Sequence, residues 1–133
     1  MNNNQKQFLI NLINTPAPSG FEEAVQKMWQ NEVSTFCRDI QKDTHGNLIA
    51  SINPGKEKSL MLVGHSDEIG LIINYINDEG FIYVRPIGGI DPTILGSHRA
   101  RILTKKGIVP AAIGRTSLHL LTPKDKDKKA EIH

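Results

Sequence analysis

The hydrophobic pattern changes period twice along the chain. Phe8, Leu9, Leu12 and Ile13 recur at helical spacing and predict a short amphipathic helix from about Gln5 to Asn14. Thr15-Pro16-Ala17-Pro18 ends it, because proline disfavours helical geometry in the residue before it. Ser19-Gly20-Phe21-Glu22 has the form of a capping box, in which Ser19 would meet an orphan N–H and Glu22 would reach back. The helix it would start carries Phe21, Val25, Met28, Trp29, Val33 and Phe36 on one broad face. A stripe of this kind is expected to be core.

From Asp39 the period drops to that of strands. Ile40 to Thr44 and Leu48 to Ile52 read as two strands joined through His45-Gly46-Asn47, with Gly46-Asn47 supplying the positive φ of a tight turn. Asn53-Pro54-Gly55-Lys56 is a second turn. Beyond Gly70 the text is all β. Leu71 to Ile76, Phe81 to Val84, Ala100 to Thr104 and Ile108 to Ile113 are strands, and Pro86 to Pro92 breaks the run. Strands spaced by turns this regularly suggest a small antiparallel barrel or sandwich. The class is therefore α/β, with a helix-containing first module joined near Gly70 to a β-rich second one.

Between the modules lies Leu60-Met61-Leu62-Val63-Gly64-His65-Ser66-Asp67-Glu68-Ile69-Gly70. Four unbroken apolar residues are expected to form a short strand buried on both faces. The strand would deliver a histidine and two carboxylates at its carboxyl end, where open α/β sheets bind ligands. A neutral imidazole can ligate a divalent metal, and a carboxylate two residues on can accept its other N–H. His65 and Asp67 are thus either half of a metal site or a polar loop after a core strand.

Composition narrows the classes. The chain has 133 residues, 38% of them hydrophobic, enough for a core of ordinary size. A net charge of +2 with interleaved signs is too weak a bias to argue for nucleic-acid or membrane partners, 5% aromatics suggests no base-stacking platform, and neither kind of partner is expected. One cysteine, Cys37, rules out an internal disulfide and reads as packing beside Phe36. No stretch has signal-peptide or membrane-spanning character, so a cytoplasmic protein is expected. His45 reads as a turn residue, His98 as loop and His119 as a β-domain surface or packing residue. His133 is a further imidazole without an acidic cluster at ligand spacing. The lysine-rich stretch from Pro123 to Lys129 reads as a solvated loop or tail.

Pro18-Ser19-Gly20-Phe21-Glu22, the Asp43 to Gly46-Asn47 turn, His65-Ser66-Asp67-Glu68-Ile69-Gly70, Gly80-Phe81, Ile87-Gly88-Gly89-Ile90-Asp91-Pro92 and His119-Leu120-Leu121 form six ordered blocks. In order and spacing they resemble the M42 metallo-aminopeptidases, a group that includes glutamyl and tetrahedral aminopeptidases, some of them labelled endoglucanase or cellulase. The resemblance covers nearly the whole chain. It implies an α/β catalytic domain with two divalent metal ions, zinc or cobalt, and an inserted antiparallel β-barrel-like dimerisation domain. It further implies peptide substrates and a homo-oligomer, a dimer building block that in many members becomes a dodecamer. Residues 1–69 would be the N-terminal part of the catalytic domain and 70–133 the insertion, incomplete.

By position His65 would ligate one metal. Asp67, counted among the catalytic residues, would orient it. Ser66 stands where methionine is commoner, and Glu68 has no assigned role. The resemblance also implies that the bridging aspartate, paired glutamates and last histidine lie downstream of the insertion. Residues 71–133 contain no replacement set, so the chain reads as an inactive N-terminal portion of such an enzyme. The alternative is a non-catalytic assembly module. A carbohydrate-cleaving enzyme is disfavoured, because glycosidases need two carboxylates flanking a sugar cleft and Asp67-Glu68 are neighbours whose side chains diverge.

Overall fold

The computed structural model describes residues 1–114. The chain divides into two compact units, the first spanning Met1–Gly70 and the second beginning at Leu71.

The first unit opens with α1 (Asn3–Asn14). Its start lies two residues before the predicted one, because Asn2 builds a capping box. Asn2 Oδ1 accepts from the Gln5 N–H at 2.9 Å, and the Asn2 N–H donates to Gln5 Oε1 at 2.9 Å. Helix α2 (Glu23–Val33) follows. The capping box expected at Ser19 and Glu22 is not formed, since α2 has no side-chain cap and begins at Glu23. Pro18-Ser19-Gly20-Phe21 is instead a turn, closed by Phe21 N–H to Pro18 O at 2.8 Å. Gly20, its third residue, has φ +89°, a conformation that glycine adopts at little steric cost. The turn rotates Ser19 away from the helix axis and frees its hydroxyl for another partner.

The apolar face of α2 buries less than its sequence promised. Val25 and Val33 are buried, Met28 and Trp29 half-buried, while Phe21 and Phe36 remain exposed. Phe21 lies in the turn before α2 and Phe36 beyond its end, so neither shares the inward stripe that Val25 and Val33 define. Ala17 and Cys37 complete the small core. Strands β1 (Asp39–Lys42) and β2 (Leu48–Ser51) form an antiparallel hairpin with Ile40 opposite Ala50. Asp43 holds its turn, accepting from the N–H groups of His45 and Asn47 and from the Asn47 side chain. Gly46, at φ +92°, supplies the left-handed conformation; Asn47 does not share it.

Residues Leu60–Val63 do not form the expected buried strand. They carry no strand pairing, and their exposures are 86%, 79%, 88% and 79%. A strand apolar on both faces needs neighbours along its edges and layers above and below. Among the described residues nothing supplies them.

Strand β3 (Gly70–Ile76) starts at the last residue of the first unit and continues into the second, where it pairs with β4 (Ile82–Ile87); the short Asn77–Phe81 connection requires the pair to be antiparallel. Tyr75 and Tyr83 stack with ring centroids 4.4 Å apart. The one-turn helix α3 (Pro92–Leu95), which the sequence reading did not anticipate, is capped by Asp91 and leads to the antiparallel β5 (Arg99–Thr104) and β6 (Gly107–Ala112). Strand β4 runs through Pro86 to Ile87, so the interruption expected from Pro86 begins only at Gly88. The described strands pair two by two, without closing into a barrel among the described residues. His119, His133 and the lysine-rich stretch lie outside the described residues.

Candidate functional site

The site is built where two loops of the first unit are fastened together. Residues 17–19 and 68 pair as a parallel bridge between Pro18 and Glu68. Glu68 N–H donates to Ala17 O at 2.8 Å, and Ser19 N–H donates to Glu68 O at 3.2 Å. The Glu68 side chain adds a third link, its Oε1 accepting from Ala17 N–H at 3.1 Å. Glu68, without a role from sequence, is therefore a clamp. The approach is close enough to require glycine at position 70, where an added Cβ would lie 2.6 Å from Pro18 Cβ. Ser66 joins the clamp from the other side, its hydroxyl accepting from Gln26 Nε2 of α2 at 2.9 Å.

This frame brings His65 and Asp67 side by side. His65 Nδ1 lies 3.0 Å from Asp67 Oδ1 and 3.0 Å from the Asp67 backbone oxygen. Both of these atoms are acceptors, so Nδ1 carries the proton and the lone pair of the neutral ring lies on Nε2. The imidazole is 86% exposed and the Asp67 side chain 38% exposed. The ring thus offers Nε2 outward while its other edge is held. Asp67 is held in turn, because Ser19 Oγ donates to its Oδ2 at 2.6 Å. The Ser19 hydroxyl first, and the His65 imidazole second, hold the Asp67 carboxyl below its ordinary range against the opposing effect of burial.

The donor set fits a single metal-ligating arm. Neutral imidazole with a carboxylate on its far nitrogen is a recurrent arrangement for metal ligation. It is not a complete site: among the described residues no group of three or more His, Cys, Asp or Glu side chains stands together. His45 sits in the β1–β2 turn, and His98 is loop, its backbone engaged with Leu95 and Ile113. Sequence reasoning missed Ser19, Gln26 and the Glu68 clamp. Ser19 could have been found, since Pro-Ser-Gly reads equally well as a turn with a free hydroxyl.

Comparison with known proteins relates the chain as a whole to peptidases. The structure is similar to that of a TET aminopeptidase from the archaeon Thaumarchaeota SCGC AB-539-E09, with a TM-score of 0.89 and 25% identity, over 98% of this chain and 37% of that one. It is similar also to the TET1 peptidase of Pyrococcus horikoshii, which can assemble into a tetrahedron or a large octahedral shell (TM-score 0.76, 36% identity, over 91% of this chain and 36% of that one). The described structure is a small α/β arrangement that resembles the corresponding third of the TET aminopeptidases. In sequence, the lysyl aminopeptidase of Pyrococcus furiosus is 30% identical over 115 residues, 86% of this chain and 33% of the relative. The model of the M42 glutamyl aminopeptidase family matches residues 46–133, and the chain belongs to that family. It spans about a third of the length of the curated relatives it matches. Among the described residues no helix is long and apolar enough to cross a membrane.

Proposed function

We propose that the chain is the N-terminal portion of a dinuclear-metal aminopeptidase, in which His65 contributes one metal ligand through Nε2 and Asp67 orients it. The observation that carries this reading is the fixed His65–Asp67 pair, with its lone pair turned outward, on a chain of M42 membership. When bound, two divalent ions, zinc or cobalt, would activate a water and polarise the scissile carbonyl of a peptide. This chain's own part is positional. The Ala17–Glu68 clamp holds the loop, Asp67 keeps the Nδ1 proton in place, and the ring is left exposed for Nε2 to take a ligand.

The described residues carry one arm of a site that needs several, so we read them as insufficient for turnover by themselves. The unit beginning at Leu71 is read as the start of an inserted, barrel-like dimerisation domain. The assembled relative and the exposed apolar residues Ile72, Ile73 and Ile108 support a homo-oligomer. Cytoplasmic location is part of the same reading.

Metal analysis tests it, with leucyl- and glutamyl-anilide hydrolysis measured on the same samples. The expected result is weak zinc binding that His65→Ala abolishes, with no turnover. Two tightly held ions with turnover would overturn the inactive-portion reading, and unchanged binding in His65→Ala would overturn the ligand assignment.

A further inference from the structure

We infer that Ser19 is a positioning residue for His65, acting through Asp67; the inference rests on the reading of His65 as a metal ligand. The geometry is a three-part relay. Ser19 Oγ donates to Asp67 Oδ2 at 2.6 Å, and Asp67 Oδ1 faces His65 Nδ1 at 3.0 Å. Each carboxylate oxygen therefore has its own donor. An aspartate held at one oxygen can still rotate about its last side-chain bond; held at both, its plane is set. The plane fixes the direction from which Oδ1 meets the imidazole, and hence the direction in which Nε2 points.

Three features mark the Ser19 contact as built rather than incidental. The serine has one hydroxyl proton, and a 2.6 Å contact to a carboxylate is the short, charge-assisted kind. Its backbone is fixed independently of its side chain, by Ser19 N–H to Glu68 O and by the Pro18–Gly20 turn. The partners are 48 residues apart in sequence, so the contact exists only because the two loops are clamped. An alanine at position 19 would leave the clamp's backbone bonds intact while releasing Oδ2. The freed carboxylate could then turn away from the ring, leaving the Asp67 backbone oxygen as the one constant partner of Nδ1, so the hold on the Nδ1 proton and on the ring's orientation would weaken.

The test is the tautomer of His65, read from the imidazole nitrogen resonances of ¹⁵N-labelled chain. Wild type, Ser19→Ala, Ser19→Thr and His65→Ala are compared, with zinc titrated into each. In wild type the His65 signals are those of an Nδ1–H ring. Ser19→Ala is expected to shift both nitrogens toward averaged values and to weaken zinc binding about tenfold, the lower end of what loss of an outer partner costs. Ser19→Thr, which keeps the hydroxyl, is expected to restore both. A wild-type tautomer in Ser19→Ala would overturn the inference. Should Ser19→Ala unfold the loop, Ser19→Thr decides alone: loss of the wild-type tautomer in that variant also overturns it. Zinc binding unchanged by His65→Ala would sink the metal reading instead, and leaves the tautomer comparison interpretable.

Discussion

Two stretches only a few residues apart meet opposite fates. Leu60–Val63 is the most apolar run in the chain, yet each of its side chains is at least 79% exposed. Ser66, Asp67 and Glu68 are polar, yet all three are fastened, to Gln26, Ser19 and Ala17. The difference lies in what each kind of residue requires. A polar side chain is satisfied by one directed partner, and a turn or helix end can bring that partner from a distant part of the sequence. A doubly apolar strand needs a sheet on both edges and layers on both faces before its burial stabilises anything. The chemical end of the segment can therefore be organised while its hydrophobic stem is not.

The largest expected effect breaks the organised half. Gly70→Ala forces a Cβ to within 2.6 Å of Pro18, and the Pro18–Glu68 bridge must open or shift. A loss of about 1–3 kcal/mol is expected, the usual range for overpacking, measured by thermal or urea unfolding. The His65 tautomer should loosen with it, because the Ser19 backbone is anchored by the same bridge.

Acid is a gentler probe of the same principle. The Asp43 carboxyl lies below its ordinary range because the Asn47 side chain, then the Asn47 and His45 backbone N–H groups, bond its charged form. A carboxyl depressed in the folded state stabilises it above the unfolded value, and that contribution fades as pH falls through the folded one. Backbone amide signals of His45 and Asn47 should therefore hold steady through neutral pH. They should shift only below the ordinary carboxylate range, and Asp43→Asn should remove that transition.

The smallest effect on stability belongs to the unorganised half. Leu60→Ser together with Leu62→Ser removes two side chains that are 86% and 88% exposed, so the unfolding midpoint should move by less than about 0.5 kcal/mol. Light scattering of the concentrated chain should nevertheless fall, since the run is an exposed apolar patch. A large stability loss would mean that the run is buried in solution.

The same division explains what the sequence revealed. The helices α1 and α2, the hairpins and the contact between His65 and Asp67 were legible because each follows from local period or from a two-residue spacing, whereas the one-turn α3 has no period to show. The Ser19 contact and the Glu68 clamp were not, since they join positions 48 and 51 residues apart. Ser19 moreover fits the pattern of a helix cap, a role that competes for the same hydroxyl. The reading of Leu60–Val63 failed for a different reason: periodicity reports what a segment needs, not whether its neighbours are within the described residues.

Cys37 gives the first unit a built-in clock. It is the sole cysteine in the sequence, 4% exposed, with its Sγ against the carbonyls of Asp39 and Ser51 where α2 hands over to the hairpin. A thiol reagent can reach that sulfur only while the hairpin swings away from the end of α2. The rate of alkylation in native buffer thus counts those openings directly, one label per chain, with no probe added to the protein.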